Sequence, residues 1–309
     1  MTTTLRIRLL WQKQAQFAGY LLAERLGLAR KAGVEIICEG LDFNLKHVAA
    51  VLSGATQMAV ASPSHILESA RPDDLRFVLA IQQESPLIYP ARKSDGIETL
   101  ADLTGRKVGV WPGHEDIEFR WMLKRGGVAL DAVTRIEMPD TVSPFLGRDI
   151  ASAQMTNYHE MHVVEEKLGH DALTLFSAAD FDASLLKDGL VVDRGLIERA
   201  PATVQAVVDA VLEGWTIAFN EPERAVEACV AARPDMTAEQ QRQQLADIKA
   251  LAIKGATLNH GLGYPDPLHV TRAAEALADV EGKAVAHDRT ADLRFWQAAP
   301  EAFRGRSWA

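Results

Sequence analysis

Apolar and polar positions change period repeatedly along the first stretch of about 190 residues. Leu5, Ile7 and Leu9 alternate with Arg6 and Arg8, which predicts a strand over 5–11. Residues 15–30 place Phe17, Tyr20, Leu21 and Leu28 at helical spacing and predict a helix. Short apolar runs predict further strands over 34–38, 57–61, 77–82, 107–111, 134–138, 151–155, 173–176 and 190–192. Helices are predicted between them over 45–52, 64–70, 115–124 and 161–168, with a helical turn over 99–103. Ser53-Gly54 and Gly126-Gly127 supply stop signals, and Ser62-Pro63-Ser64 supplies a start. Strands alternating with helices predict α/β layers. After about Asp193 the texture changes to successive helices over 201–219, 221–231, 237–253 and 267–280, the first with Pro201 in its opening turn.

Length turns this pattern into two lobes, because a chain of 309 residues exceeds what one core usually organises. There is no internal repeat and no Pro/Gly/Ser linker, so the chain is expected to pass between the lobes more than once, at strands. Composition narrows the partners. The chain is 24% charged and 48% hydrophobic with a formal net charge of −9, and its Lys and Arg are not clustered, which argues against nucleic acid. No segment is read as the ~20-residue apolar run of a membrane span, so no direct membrane insertion is expected. Met1-Thr2-Thr3-Thr4 leads straight into the first alternating segment, without an apolar leader or a cleavage site. The expected location is therefore periplasmic if a signal peptide has been removed, and cytoplasmic otherwise. Cys38 and Cys229 lie far apart on apolar segments and read as packed core thiols.

Several stretches, taken in order, resemble ABC-transporter solute-binding proteins of the thiamine-pyrimidine family. They are Leu9-Leu10-Trp11-Gln12 with Phe17-Ala18-Gly19-Tyr20, Leu52-Ser53-Gly54 with Gln57-Met58-Ala59-Val60, and Gln83-Glu84-Ser85-Pro86. Asp102-Leu103-Thr104-Gly105-Arg106-Lys107-Val108-Gly109-Val110, Leu186-Lys187-Asp188-Gly189-Leu190-Val191-Val192 and Gly261-Leu262-Gly263-Tyr264 follow, so the resemblance covers nearly the whole chain. It implies a type II periplasmic-binding-protein fold: two α/β lobes joined by two crossing strands near 82–86 and 186–192, with extra C-terminal helices. Lobe 1 is expected to comprise 1–84 plus 188–309 and lobe 2 to comprise 85–187. The ligand is expected in the cleft, at loops that follow strand ends.

The same family has an enzymatic branch that makes the thiamine pyrimidine phosphate from pyridoxal phosphate and its own histidine. Its histidine position matches His65 here, but its lysine position holds Ala61. Its returning cysteine cluster corresponds to Asp182-Ala183-Ser184-Leu185-Leu186-Lys187, which has no cysteine. Its phosphate loop corresponds to Trp111-Pro112-Gly113-His114-Glu115-Asp116, where two carboxylates would oppose a phosphate. No catalytic residue and no cofactor is therefore expected.

The candidate ligand contacts are aromatic, amide and hydroxyl side chains at strand ends. Trp11 offers a wall for stacking a flat heterocycle, and Gln12 and Gln16 offer amide donors and acceptors. Ser62, Ser64 and His65 sit at a strand end and helix start, where they serve either a ligand or the helix cap. Gln83 is preferred over Gln82 and Ser85 at the first crossing. Trp111, His114 and Glu115 occupy the corresponding loop of the second lobe, and Asn157, Tyr158 and Glu160 follow the 151–155 strand. Phe17 and Tyr20 read as core, and His47 as surface. Arg92 and Arg148 are the arginines available to an anionic ligand. His159 and His162 share a helical spacing but lack a third ligand at a readable spacing, so no metal is expected.

These features point to a monomeric, non-catalytic solute-binding protein that captures a small flat polar heterocycle, pyrimidine-like or thiamine-precursor-like, for an ABC permease. The alternatives are a cytoplasmic enzyme related to pyrimidine synthesis or sulfinate cleavage, the latter needing Cys38 as nucleophile, and a cytoplasmic ligand sensor.

Overall fold

Alternating segments become strands in the computed structural model, which describes residues 2–113 and 115–305. The strands are β1 (Thr3–Arg8), β2 (Val34–Glu39), β3 (Met58–Val60), β4 (Leu75–Leu79), β5 (Leu87–Arg92), β6 (Lys107–Val110), β7 (Thr134–Glu137), β8 (Ser152–Ala153), β9 (Met155–Thr156), β10 (Leu173–Ser177) and β11 (Leu190–Asp193). The helices are α1 (Ala18–Leu26), α2 (His47–Ser53), α3 (Pro63–Glu68), α4 (Ile117–Arg125), α5 (Val142–Leu146), α6 (Glu160–Leu168), α7 (Arg194–Arg199), α8 (Pro201–Asn220), α9 (Pro222–Ala232), α10 (Ala238–Ala252), α11 (Ala256–His260), α12 (Pro267–Glu281), α13 (Arg294–Ala298) and α14 (Glu301–Arg304).

The chain packs as two units. The first comprises Met1–Glu84, Leu186–Ala274 and Ala286–Ala309, and the second comprises Ser85–Leu185 and Glu275–Val285. The expectation that 188–309 stays whole within the first lobe is corrected at this last stretch. Trp121 is buried and its indole N–H needs an acceptor, which Asp279 of α12 supplies at 3.0 Å, while Glu281 accepts from Arg120 at 2.8 Å.

The sheet of the first unit runs β2-β1-β3-β11-β4. β1 is parallel to β2 and β3, and β11 is antiparallel to β3 and β4. The carboxyl ends of β1 to β4 therefore share one edge of the sheet with the start of β11. The alternation of Leu5 and Ile7 buries these side chains, and α1 and α8 pack on the neighbouring strand β2. The helix approach depends on two glycines: a Cβ on Gly214 would lie 2.1 Å from the Gly19 carbonyl oxygen, and a Cβ on Gly19 would lie 2.2 Å from the Trp215 ring. Tyr20 meets Trp215 edge-on at 6.1 Å. Phe17 and Tyr20 are buried core residues, as expected. The expectation that no segment resembles a membrane span is amended at α8, which is long and apolar enough by length and composition. Its apolar character serves packing, since Val204, Val207, Val208, Val211 and Trp215 are all buried.

The sheet of the second unit runs β10-β5-β8-β6-β7, with β9 also on β5. β6 is parallel to β7 and β8, and β5 is antiparallel to its neighbours. Phe145, Ile150, Met155, Met161, Val164 and Leu173 form a buried cluster within this unit. β5 has no counterpart among the predicted strands, and it holds Pro90, a residue that interior strands seldom contain. The structure accommodates it: β5 pairs through Leu87 and Ile88 with β9 and through Ala91 with β8, and that ladder is interrupted around Pro90, where no N–H is available. The predicted 151–155 strand is split at Gln154, whose N–H donates to the Gly109 carbonyl at 2.8 Å and whose carbonyl accepts from the Thr141 hydroxyl at 2.9 Å.

Replacing Gly19 or Gly214 with Ala forces a methyl into a packed helix contact. We expect each to lower unfolding free energy by about 1–3 kcal/mol or more in urea titrations, with Gly105→Ala, which meets nothing nearby but has a positive φ, as a backbone-strain comparison.

Candidate functional site

β1 lies between β2 and β3, so the connections leaving β1 and β3 depart toward different neighbours, the arrangement at whose carboxyl ends open α/β sheets bind ligands. Five segments of the first unit reach this edge: residues 9–16 after β1, 40–46 after β2, 61–65 after β3, 80–84 after β4 and 186–189 before β11. β1 stops at Arg8, earlier than the alternation implies. The chain then bends through residues 10–14 into a short 3-10 turn, Ala15–Phe17, before α1.

At the centre of the edge stands a buried carboxylate, Asp188, 4% exposed. Its Oδ2 accepts from the Gln16 amide at 3.0 Å and from the Gln82 amide at 2.6 Å. Gln14 donates to Gln16 Oε1 at 3.1 Å, and Arg233 donates to Gln14 Oε1 at 2.7 Å. Gln241 and Gln244 of α10 accept from the backbone N–H groups of Ala15 and Gln16 at 2.7 and 2.9 Å. Gln82 Oε1 has no protein partner among the described residues, and stays as an acceptor beside the carboxylate. Tyr20 lies close enough that burial, and then the charge of Asp188, push its phenol well above the ordinary range.

Along the same edge two pairs of rings meet. Trp11 and Phe43 meet edge to face, with centroids 5.7 Å apart and planes at 89°. His47 and His65 lie ring against ring at 4.3 Å. The reading of His47 as surface is corrected: it is 6% exposed, because its ring packs on His65. Both rings use Nδ1 to accept a backbone N–H, from Val48 at 3.0 Å and from Ser62 at 3.1 Å, which puts the proton of each neutral ring on Nε2.

The second unit has a comparable edge. β6 lies between β7 and β8, and Gln154 bridges the exits of β6 and β8: its Oε1 accepts from the Trp111 N–H at 3.2 Å and its Nε2 donates to the Glu115 carbonyl at 3.0 Å. Trp111 is half-buried there, with Glu115, two residues beyond the positive-φ turn at Gly113, only in part exposed.

The predicted site residues divide accordingly. Trp11, Gln12, Gln16, Ser62, Ser64 and His65 all come to the edge of the first unit, and Trp111 and Glu115 to that of the second. Several have structural occupations. Ser62 closes a capping box on α3 with His65, and its hydroxyl contacts Ser64 at 2.8 Å. Gln16 spends its amide on Asp188 and Gln14. Gln83 donates to the carbonyls of Ala80 and Tyr264, at 2.6 and 3.1 Å, and so fastens the 261–264 loop. Glu160 accepts the Thr156 N–H at 2.9 Å at the start of its own helix, and Tyr158 is buried. Asn157 is half-buried, and its Oδ1 has no protein partner among the described residues. His114 lies outside the described residues. Arg92 and Arg148 both engage Asp95, at 3.1 and 2.7 Å. Burial opposes ionisation of Asp95, but the hydrogen bonds and charges of Arg148 and Arg92 hold its carboxyl below the usual range. The sequence reading did not select Asp188, Phe43 and Gln154; an Asp in an apolar return strand and a Phe after β2 were the available signals.

Both thiols are buried. Cys38 donates to the Tyr20 carbonyl at 3.5 Å, and burial, then Glu24, push it far above the ordinary thiol range. Burial pushes Cys229 up to about 12. Neither provides an accessible thiolate near neutral pH.

The model of the NMT1/THI5-like family matches residues 14–225. The riboflavin-binding protein RibY of Chloroflexus aurantiacus is 25% identical over 273 residues, 84% of this chain and 76% of that protein. Among solved structures, the ligand-binding component of an ABC-type import system from Staphylococcus aureus, with zinc bound, superposes with a TM-score of 0.71 at 13% identity, covering 99% of this chain and 100% of that one. The periplasmic aliphatic sulphonate-binding protein SsuA of Escherichia coli gives 0.69 at 16% identity, covering 94% and 92%. The desulfurization enzyme DszB gives 0.57 at 15% identity, covering 96% and 98%. These likenesses identify the fold as type II periplasmic-binding-protein-like.

Two outcomes are expected of this chemistry. Gln16→Ala removes one donor from a buried carboxylate and should cost about 1–3 kcal/mol in denaturant unfolding. A buried thiol whose pKa is raised adds stability that is complete below its unfolded value near 9.0 and is lost as pH climbs toward the folded value of about 12. Iodoacetamide at pH 8 should therefore label Cys38 and Cys229 in urea but not in the native protein, as read by mass spectrometry.

Proposed function

Because the chain belongs to the NMT1/THI5-like family, we propose that it is a non-catalytic solute-binding protein that delivers a flat nitrogen heterocycle to an ABC-type importer. The single observation that carries the ligand class is the Trp11–Phe43 ring pair at the exits of β1 and β2, on the same sheet edge as the carboxylate and amides of Asp188, Gln16 and Gln82. Stacking on an aromatic face is indifferent to ring identity, and the polar groups then discriminate the ring edge. Likeness to RibY supports a flavin or flavin-like ring, and the pyrimidine expectation falls within the same class. Likeness to import-system components supports a transporter partner and a place outside the cytoplasmic membrane. The residues proposed to touch ligand are Trp11, Gln12 and His65, all at the edge of the first unit.

An anionic ligand such as a sulfonate is less well served. Arg92 and Arg148, the guanidinium groups the sequence offered, both pair with Asp95, which offsets part of their charge, while Arg92 Nη2 keeps no protein partner among the described residues. The enzymatic alternative lacks its nucleophile: Ala61 replaces the lysine of the pyrimidine-forming branch, and the Cys38 thiol is buried and protonated.

A thermal-shift panel of riboflavin, lumichrome, cytosine, thiamine, pyridoxal phosphate and small sulfonates tests the reading. A ligand at about 100 times its dissociation constant adds about 2.7 kcal/mol to stability. A flavin or pyrimidine should raise the transition, and Trp11→Ala should abolish the rise. A response confined to sulfonates or pyridoxal phosphate would sink the heterocycle reading.

A further inference from the structure

The ring pair supports an inference that rests on the proposed function and goes further into its specificity. Phe43 is 53% exposed, and among the described residues it is the aromatic side chain left out in solvent. A solitary exposed apolar residue is ordinary, but this one is set apart by where it stands and how it is held. It follows β2 and packs on the residue that follows β1, at the edge where the strand order reverses. Its loop is fastened to the exit of β1 from both directions: the Leu41 N–H donates to the Trp11 carbonyl at 3.1 Å, and the Gln12 amide donates to the Leu41 carbonyl at 3.0 Å. Gly40 permits this approach, since a Cβ there would lie 2.6 Å from Gln12 Oε1. The turn itself is closed on Asp42, whose carboxylate accepts the Asn44 N–H at 2.9 Å. The loop thus spends several hydrogen bonds on presenting a phenyl ring outward.

We propose that Phe43 is a specificity-determining ligand contact, and that Trp11 and Phe43 form an aromatic corner selecting fused-ring heterocycles over single-ring ones. The two planes are perpendicular at a centroid separation of 5.7 Å. A planar ligand stacked on one ring presents its edge to the other, and both stacked and edge-to-face contacts are favourable. A single six-membered ring that covers one of the two rings leaves the other largely uncovered. A fused system spans the corner, covers both, and removes the Phe43 face from water.

The test is isothermal titration of the full chain and its variants with riboflavin, a fused three-ring probe, and cytosine, a single-ring probe. Wild type should prefer riboflavin. Phe43→Ala should weaken riboflavin about tenfold or more, equivalent to ~1.4 kcal/mol, and change cytosine less than about twofold. Phe43→Tyr should retain riboflavin affinity, and Phe43→Leu should lose it although its bulk is apolar, which separates ring chemistry from mere filling. The thermal transition of each unliganded variant should match wild type, because the side chain is exposed. If wild type binds riboflavin and Phe43→Ala binds it within twofold, the corner is overturned and the binding-protein reading stands. Equal losses for both probes, or a wild-type preference for cytosine, also overturn it. If wild type binds neither probe but takes a sulfonate, the heterocycle reading falls and the corner falls with it.

Discussion

A carboxylate buried in the core of the first unit must be compensated, and much of the local architecture follows from compensating Asp188. Leaving such a charge without donors typically costs about 3–5 kcal/mol, a large share of a domain's net stability. Gln16 and Gln82 both donate to it, so the loop after β1, the exit of β4 and the segment before β11 are tied at one atom. The chain of amides continues through Gln14 to Arg233, while Gln241 and Gln244 hold the backbone of Ala15 and Gln16. The bend at residues 10–14, which places Trp11 at the edge of the sheet, is thereby braced from α9 and α10 as well as from the sheet. Both boundaries at which the chain leaves and re-enters the first unit, after Glu84 and before Leu186, lie within a few residues of this carboxylate.

That division of labour explains the character of the edge. Glutamines close to β1 carry structural bonds, whereas Trp11 and Phe43 carry exposed ring surface and the polar edge of Gln82 remains an acceptor. The edge thus combines surface that is indifferent to orientation with a few fixed hydrogen-bonding groups, the combination that small-molecule sites use for affinity and selectivity. The second unit repeats the scheme with other residues: Gln154 spans the exits of β6 and β8 by backbone hydrogen bonds and leaves Trp111 beside them. In both units an amide at the strand-order reversal fixes the backbone, and an indole lies next to it.

The same physics separates the thiols from chemistry. Cys38 is on β2, with its sulfur turned to the Tyr20 carbonyl beneath the sheet, and Cys229 is on the inner face of α9. Burial makes the thiolate costly in each case, so they contribute volume to packing and nothing to reactivity. The fold is shared with binding proteins and with at least one enzyme, which is why function here turns on particular side chains and not on the architecture.

Periodicity alone was enough for most of the elements. Strand alternation at Leu5 and Ile7, the helical spacing of Phe17 and Tyr20, and the proline-led helix at Pro201 are local properties, and they survive folding because burial rewards the same pattern that the backbone period creates. The two-lobed α/β class and the absence of a catalytic lysine at position 61 were likewise written in the chain. What the sequence could not reveal is which polar side chains are consumed internally. Gln16, Gln82 and Gln83 are alike as letters, yet one compensates Asp188, one does so while keeping an acceptor, and one fastens a loop, because those roles depend on partners more than 100 residues away. Pro90 within an interior strand, the burial of His47 against His65, and the exposure of Phe43 on Trp11 were also decided by tertiary contact. Local pattern specifies what a segment prefers; only packing decides which groups have lost their water and must find a partner elsewhere in the chain.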